Sequence, residues 1–266
     1  ILLSLGHTDQ SHEENAFRFN VLSFIPLLCC IPWLPSVQHP RPTKASGQRS
    51  RLQMLGSIAD GFRYIAQQRR LRILMLLLGM VMLLGMPFQT LLPMFVHDHP
   101  TLHGGHQLYA ALLSAIGFGG LIGSLWGMSV SAGRQRRPGL TLALAAMGLA
   151  LAIVVLVASR VVHWTSLAAF WAGGCSVLSI NLSTALAMGL TPLEVQGRVS
   201  AIASMGKGLQ SFAAAAASEA IHLLNAKLPA SVAYQLVQSA LAVALIIAVV
   251  WIWRPLSRID LLHQDA

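Results

Sequence analysis

Long apolar stretches alternate with short polar ones along most of the chain, from about residue 16 to residue 253. A bilayer core about 30 Å thick needs roughly 20 apolar residues for each helical crossing. Seven stretches approach or exceed this length: 16–34, 71–96, 107–132, 140–159, 162–190, 199–224 and 231–253. The first is the least regular, because Arg18, Pro26 and Pro32 interrupt it. The pattern predicts an all-α, polytopic membrane bundle.

The composition and the form of the apolar stretches agree with helices. Hydrophobic residues make up 55% of the chain and charged residues only 10%. Strands of a membrane barrel would alternate strictly over about ten residues, whereas residues 140–157 (LTLALAAMGLALAIVVLV) are continuously apolar. Because lipid cannot hydrogen-bond to the backbone, each span must satisfy its own backbone groups, and the pattern predicts helices.

Basic residues concentrate in alternate loops. The largest group separates the first two predicted spans: Arg41, Lys44, Arg49, Arg51, Arg63, Arg69, Arg70 and Arg72. Every second loop after it is also basic, through Arg134, Arg136, Arg137, Arg198, Arg254 and Arg258, whereas the intervening loops hold only Arg160 and Lys227. Since basic loops stay cytoplasmic, we predict a cytoplasmic C-terminus. The same bias accounts for the net charge of +9, so we expect the lipid bilayer as a partner and no nucleic acid.

The pattern also divides the chain into parts. Residues 1–35 read as the end of an upstream span, an outer loop and a further span, which predicts that the chain is an internal piece of a longer protein. Residues 36–70 read as a cytoplasmic connector, in which apolar residues of 55–68 recur at helical spacing, as in an amphipathic helix on the inner membrane surface. Residues 71–254 form the predicted six-helix bundle, and 255–266 a cytoplasmic tail.

Small residues and prolines inside the spans predict how the helices pack. Gly119, Gly123 and Gly127 recur every four residues and would let a neighbouring helix approach closely. Pro87 and Pro93 each remove a backbone hydrogen bond and would bend the second predicted span. Such features are common in moving transporters, but static packing explains them equally well.

Lys207 is the sharpest candidate for transport chemistry, because it lies near the middle of a predicted span between Gly206 and Gly208. A lysine at the centre of a membrane helix costs about 2.5–3.5 kcal/mol on insertion scales, so it is expected to face protein or water. It would bind an anionic substrate or respond to protonation. The alternative is a structural pairing with an acid or a carbonyl.

Three further polar residues accompany Lys207 as candidates. Glu219 lies twelve residues later and would act as a proton carrier or outer gate, or else as an interfacial acid. Gln89 and Asn181 are amides deep in their spans, able to hydrogen-bond a substrate or another helix.

Other chemistries find little support in the sequence. The histidine-rich stretch 96–106 has no spacing typical of a metal site, so we predict no metal there. The three cysteines lie in predicted spans and form no recognisable framework. Motifs of serine hydrolases, ATP-driven pumps and zinc proteases are absent, so we predict neither an enzyme nor a cofactor.

Several segments, in order, resemble the C-terminal half of major facilitator superfamily transporters, in the branch of the bacterial enterobactin exporter and related secretion or drug-efflux proteins. They are GFRYIAQQRRLRILMLLLG at 61–79, GMPFQTLLPMFV at 85–96, YAALLSAIGFGGLIGSL at 109–125 and TPLEVQGRVSAI at 191–202. Upstream, AFRFNVLSFIP at 16–26 is similar to the start of the branch's sixth span. The loop 127–137 departs from the family, because it lacks the acid often found before the basic residues.

The resemblance implies twelve spans in two halves, with substrate held between the halves near the bilayer midplane. The chain would supply the sixth span and the C-terminal six. It implies a secondary-active transporter in a bacterial inner membrane, exporting a small amphipathic molecule such as a siderophore or drug, with proton antiport. The missing N-terminal half would be a partner. The alternative is a degenerate half-transporter that acts as a membrane scaffold or interaction subunit.

Overall fold

The computed structural model describes residues 25, 29, 51–98, 105–130 and 138–261. The chain divides into two compact units, Ile1–Leu55 and Gly56–Ala266. In the first unit Ile25 and Cys29 are helical and exposed, and the rest of the predicted span at 16–34 lies outside the described residues. The part of the chain that the structure describes contains helices and no β-strand, so the predicted all-α class is confirmed.

The described helices follow one another with short connections. They are α1 (Arg51–Gln67), α2 (Arg69–Met80), a π-helical segment (Val81–Gly85), α3 (Pro87–Asp98), α4 (Gly105–Ser129), α5 (Pro138–Ala158), α6 (Val162–Gly189), α7 (Leu193–Asn225) and α8 (Ala230–Leu261). Within the described ranges, five stretches are long and apolar enough to cross a membrane: Arg69–His97, Gly105–Ser129, Pro138–Ala158, Val162–Gly189 and Ala230–Trp253. These five agree closely with predicted spans.

Helix α7 differs from the other predicted spans. It is a 33-residue helix that contains the predicted span at 199–224, yet it is not among the five apolar stretches. Polar side chains distributed along the helix, including Lys207, lower its hydropathy. The helix is therefore long enough to cross a bilayer but would need protein or water along part of its surface.

The irregularity that the prolines predict in the second span lies one turn before Pro87. Val81–Gly85 is π-helical, and the Met86 N–H donates to the Val81 carbonyl at 3.1 Å. A proline lacks an N–H and crowds the carbonyl four residues earlier, and a widened turn relieves both constraints. Pro87 consequently opens α3, while Pro93 lies within it.

Helices α4 and α6 meet through glycines on both sides. A Cβ atom on Gly119 or Gly123 would overlap the backbone of α6 at Phe170 and Gly174, and one on Gly173 would overlap Ile116 of α4. The predicted close contact at Gly119 and Gly123 is thus confirmed. Gly127 is less constrained, because its nearest neighbour would be the Leu178 side chain at 3.3 Å.

The two ends of the predicted bundle extend further than the sequence indicates. Helix α1 packs Ile65 into a cluster with Leu71, Ala187 and Val199, so it docks on the helical bundle as well as presenting an exposed Phe62. At the other end α8 continues to Leu261, well into the predicted tail.

Candidate functional site

One side of α7 carries a row of exposed polar side chains. The row consists of Ser200, Ser204, Lys207, Ser211, Ser218 and His222. Their spacings of three, four and seven residues place them along one face of a helix with 3.6 residues per turn. The helix packs into the bundle through a different set, Val199, Ala213, Ala214, Ala217 and Ile221. We call the exposed row the polar face of α7.

Two serine hydroxyls of this face bond to their own helix. Ser204 Oγ donates to the Ser200 carbonyl at 3.0 Å, and Ser211 Oγ donates to the Lys207 carbonyl at 3.3 Å. Each bond uses the hydroxyl hydrogen on the local backbone, but the oxygen lone pairs remain able to accept. The polar face therefore combines hydroxyl acceptors with the ammonium donors of Lys207.

Lys207 is the charged centre of the polar face. Its side chain is exposed, and no ion pair to it occurs in the part of the chain that the structure describes. An ammonium group facing lipid in mid-helix is unfavourable by about 2.5–3.5 kcal/mol on insertion scales. In a membrane, the polar face of α7 must therefore meet water or polar protein surface.

A cavity of about 510 Å³ opens between α1, α2 and α7. Its walls are mostly apolar side chains from three helices: Phe62, Ile65 and Ala66 of α1, Arg72, Met75, Leu76, Leu78 and Gly79 of α2, and Ile202, Ala203, Met205, Gly206 and Leu209 of α7. Lys207 follows the lining residue Gly206 directly in the chain. We call this space the α1–α2–α7 cavity.

Arg72 supplies the only charged side chain in the lining of the α1–α2–α7 cavity. Its guanidinium Nη1 donates to the Ala66 carbonyl at 3.1 Å, which anchors the side chain across the gap between α2 and α1. A guanidinium has five N–H donors, so others remain to bind an anion. The cavity thus offers apolar walls with an anchored cation among them.

A second cavity, of about 370 Å³, lies among α4, α5 and α6. Its lining includes Trp126, Trp171 and Cys175 and no charged side chain. Since specific ligands usually need a few polar groups to fix their orientation, the α1–α2–α7 cavity is the better candidate site.

The π-helical segment contacts α7 immediately before Lys207. The Met82 side chain lies 3.3 Å from the position that a Cβ atom on Gly206 would occupy. Single-turn π-segments are frequent at functional sites. The structure therefore brings together two features that the sequence presents separately, the proline-associated irregularity of one helix and the lysine of another.

The other predicted site residues lie at separate positions. Gln89 is half-buried on α3, a helix that packs against α7. Asn181 is exposed on α6, and its Nδ2 donates to Ser124 Oγ of α4 at 3.4 Å. Glu219 is exposed on α7, turned by about 120° from Lys207 because twelve residues exceed three turns. Among the described residues no hydrogen bond or ion pair joins these three side chains to Lys207.

The histidine-rich segment is only partly described. His97 and His106 are exposed, and His99 and His103 lie outside the described residues. Within the described ranges no group of three histidine, cysteine or acidic side chains is placed to hold a metal ion.

The cavity and the position of Arg72 in its wall could not be predicted from the sequence. Arg72 reads as one more basic residue of the connector, and the apolar lining residues read as ordinary span positions. The serines of the polar face, by contrast, recur at helical spacing around Lys207 and were a readable signal.

Five membrane-length apolar helices, together with a longer helix that carries a lysine-centred polar face, define a polytopic helical membrane protein. The family model of the Major Facilitator Superfamily matches residues 16–215, and the chain belongs to this family. Comparisons with curated proteins and with solved structures give no significant match. Because the family consists of transporters, the protein is a membrane transporter in general terms.

Proposed function

We propose that the protein is a secondary-active transporter that exports a small amphipathic molecule, such as a siderophore or drug, by alternating access. The observation that carries the proposal is the α1–α2–α7 cavity, with its apolar lining and Arg72 in its wall. Apolar walls would hold the body of an amphipathic solute, and Arg72 would bind an acidic or strongly polar end. Lys207 is proposed as a further anion-binding group on the polar face of α7.

The environment of α7 supports a site between two halves of a transporter. Lys207 and the serines of the polar face are exposed in the chain as described, and lipid is an unfavourable neighbour for them. A second half-bundle on this side would cover the polar face and enclose a water-filled path, as transporters built from repeats do. We propose that an N-terminal half of the same parent chain is that partner.

Gln89, Asn181 and Glu219 keep subsidiary roles in the proposal. Gln89 is proposed to hydrogen-bond the substrate from α3, which packs against α7. Asn181 is proposed as a second amide ligand, although its bond to Ser124 also links two helices. Glu219 is proposed as the proton carrier or outer gate, because it is an exposed carboxylate on the helix that carries Lys207.

The proposed location is a bacterial inner membrane, with the C-terminus in the cytoplasm. The exposed arginines of α1, α2 and α7 support this orientation, because basic segments remain on the cytoplasmic side. They are Arg63, Arg69, Arg70, Arg72 and Arg198.

Substrate accumulation in cells that lack their own exporters tests the proposal. Cells would carry the complete parent chain, residues 1–266 alone, or an empty vector, and would be loaded with a panel of dyes, drugs and siderophores. Lower accumulation with the parent chain alone is the expected result. Equal accumulation in all three at verified membrane expression would reject export of these compounds and favour a scaffold function.

A further inference from the structure

Helix α8 buries one side along most of its membrane-spanning length. Tyr234, Gln238, Ala242, Leu245, Val249 and Ile252 are all buried, and their spacings of three and four residues place them on one face. We call this face the α8 seam. Leu245 of the seam lies 3.3 Å from the position of a Cβ atom on Gly85, so the part of the seam around Leu245 faces the π-helical segment.

The N-terminal part of the α8 seam, at Tyr234 and Gln238, holds polar atoms without hydrogen-bond partners among the described residues. Tyr234 is 1% exposed and Gln238 is fully buried. The Tyr234 hydroxyl and both amide atoms of Gln238, Nε2 and Oε1, have no hydrogen-bond partner in the described part of the chain. Residues four apart on a helix are neighbours, with about 5–6 Å between their Cβ atoms. Three unpaired polar atoms are thus concentrated on one turn of a buried helix face.

A nearby glutamine shows that direct pairing is possible for this helix. Gln235 Nε2 donates to the Val157 carbonyl of α5 at 3.2 Å. Gln238 makes no such bond, because its side of α8 is turned into the apolar core with Tyr234. Burying donors and acceptors without partners is unfavourable, and a small ligand that supplies both functions would relieve it.

The surroundings provide further polar backbone. The Tyr234 ring packs on Phe95 of α3, with 5.3 Å between ring centroids, so the N-terminal part of the seam faces α3. Pro93 lies within α3 and has no N–H to donate to the carbonyl of Gln89, four residues earlier. The α3 backbone therefore lacks the regular helical bond from residue 93 to the Gln89 carbonyl.

We propose that Tyr234 and Gln238 form a buried water-binding site between α3 and α8. A water molecule both donates and accepts, as do the Tyr234 hydroxyl and the Gln238 amide, and buried waters typically make about three hydrogen bonds to otherwise unsatisfied groups. One water bridging the two side chains satisfies at least one atom of each, with a bond left for the α3 backbone. This site is distinct from the α1–α2–α7 cavity and does not depend on the proposed transport function.

Radiolytic footprinting tests the site in the unmodified chain, purified in detergent or nanodiscs. Hydroxyl radicals generated from bound water modify adjacent aromatic rings even when bulk solvent cannot reach them. Tyr234 is expected to be modified several-fold faster than Phe88, which is equally buried and has no polar side-chain atom of its own. Modification of Tyr234 at the rate of Phe88 would overturn the proposal.

Two variants test the bridge by the sign of their effect on stability. If water is bound, Gln238→Leu should lower the rate of Tyr234 modification to that of Phe88. Gln238→Leu and Tyr234→Phe should each lower the melting temperature, and their effects in the double variant should be less than additive. Ser239→Ala is the matched control, because Ser239 bonds only to the Gln235 carbonyl of its own helix. If the site is dry, each variant removes an unpaired polar atom and raises the melting temperature, which would contradict the proposal.

Discussion

Gly119 of α4 lies directly against the backbone carbonyl of Phe170 in α6, with no room for a side chain between them. The same is true of Gly123 against Gly174, one turn further along. In a membrane, helices associate through close packing rather than through exclusion of water. The α4–α6 contact is therefore expected to contribute strongly to the stability of the bundle.

Gly119→Ala should destabilise the protein. The new Cβ atom would overlap a carbonyl group that cannot move without shifting α6, and overpacking of this kind costs about 1–3 kcal/mol. The measurement is thermal unfolding in detergent, and Gly117→Ala is the matched control, because nothing lies within 4 Å of a Cβ atom at Gly117. Equal melting temperatures for the two variants would show that the helices do not approach as closely as described.

Lys207→Ala should abolish or strongly reduce export by the parent chain while leaving its amount in the membrane unchanged. The substitution removes the cation of the polar face, and because the side chain is exposed and unpaired among the described residues, it removes little packing. Lys207→Arg keeps the charge and should retain part of the activity. Lys227→Ala, at an exposed lysine in the turn after α7, is the control. Unchanged export by Lys207→Ala at normal expression would remove Lys207 from the site.

Gly79→Leu should impair export by filling the α1–α2–α7 cavity. Gly79 lines this cavity, and nothing lies within 4 Å of a Cβ atom there, so a side chain can start at this position without a clash of its Cβ atom. We expect the bulkiest substrates to be affected first, with the melting temperature unchanged. Gly117→Leu adds the same side chain at an open position outside the cavity and should transport normally. If both variants transport as well as the parent, substrate does not occupy this cavity.

Glu219→Gln should uncouple transport from the proton gradient. Removal of the carboxylate leaves the binding groups near Lys207 in place, so substrate exchange across proteoliposome membranes should persist while gradient-driven accumulation is lost. Glu194→Gln, at an exposed acid in the first turn of the same helix, is the control. Normal gradient-driven accumulation by Glu219→Gln would place the proton carrier elsewhere.

The roles open to Asn181 can be separated with a double-mutant cycle. If its bond to Ser124 only links two helices, the coupling energy between Asn181→Ala and Ser124→Ala should be about 0.6 kcal/mol, the average for polar pairs in membrane helices, so the double variant should cost less than the sum of the two single variants. Export should then fall no further than stability explains. Loss of export by Asn181→Ala alone, at unchanged stability, would instead assign Asn181 to substrate binding.

Much of the fold could be read from local patterns. The apolar runs predict seven spans, and five of them match the membrane-length stretches of the described residues within a few residues of their bounds. A span is set by length and hydropathy, which are properties of consecutive residues. The spacing of Gly119 and Gly123 also predicts a close helix contact. The glycines of α6 at this contact, Gly173 and Gly174, could not be predicted. Two adjacent glycines do not form a stripe along a helix, and local sequence does not specify which helix will be the neighbour.

The candidate site, like the fold, could be predicted only in part from the sequence. The sequence by itself determined the class of protein, five of its spans, its charge asymmetry and the unusual position of Lys207, since each depends on local composition. Only the tertiary structure decided that Met82 would contact Gly206, that Arg72 would line a cavity between α1, α2 and α7, and that the Gln238 amide would be buried without a partner among the described residues. These facts depend on which faces of distant helices meet, and helical periodicity specifies a face without specifying its neighbour.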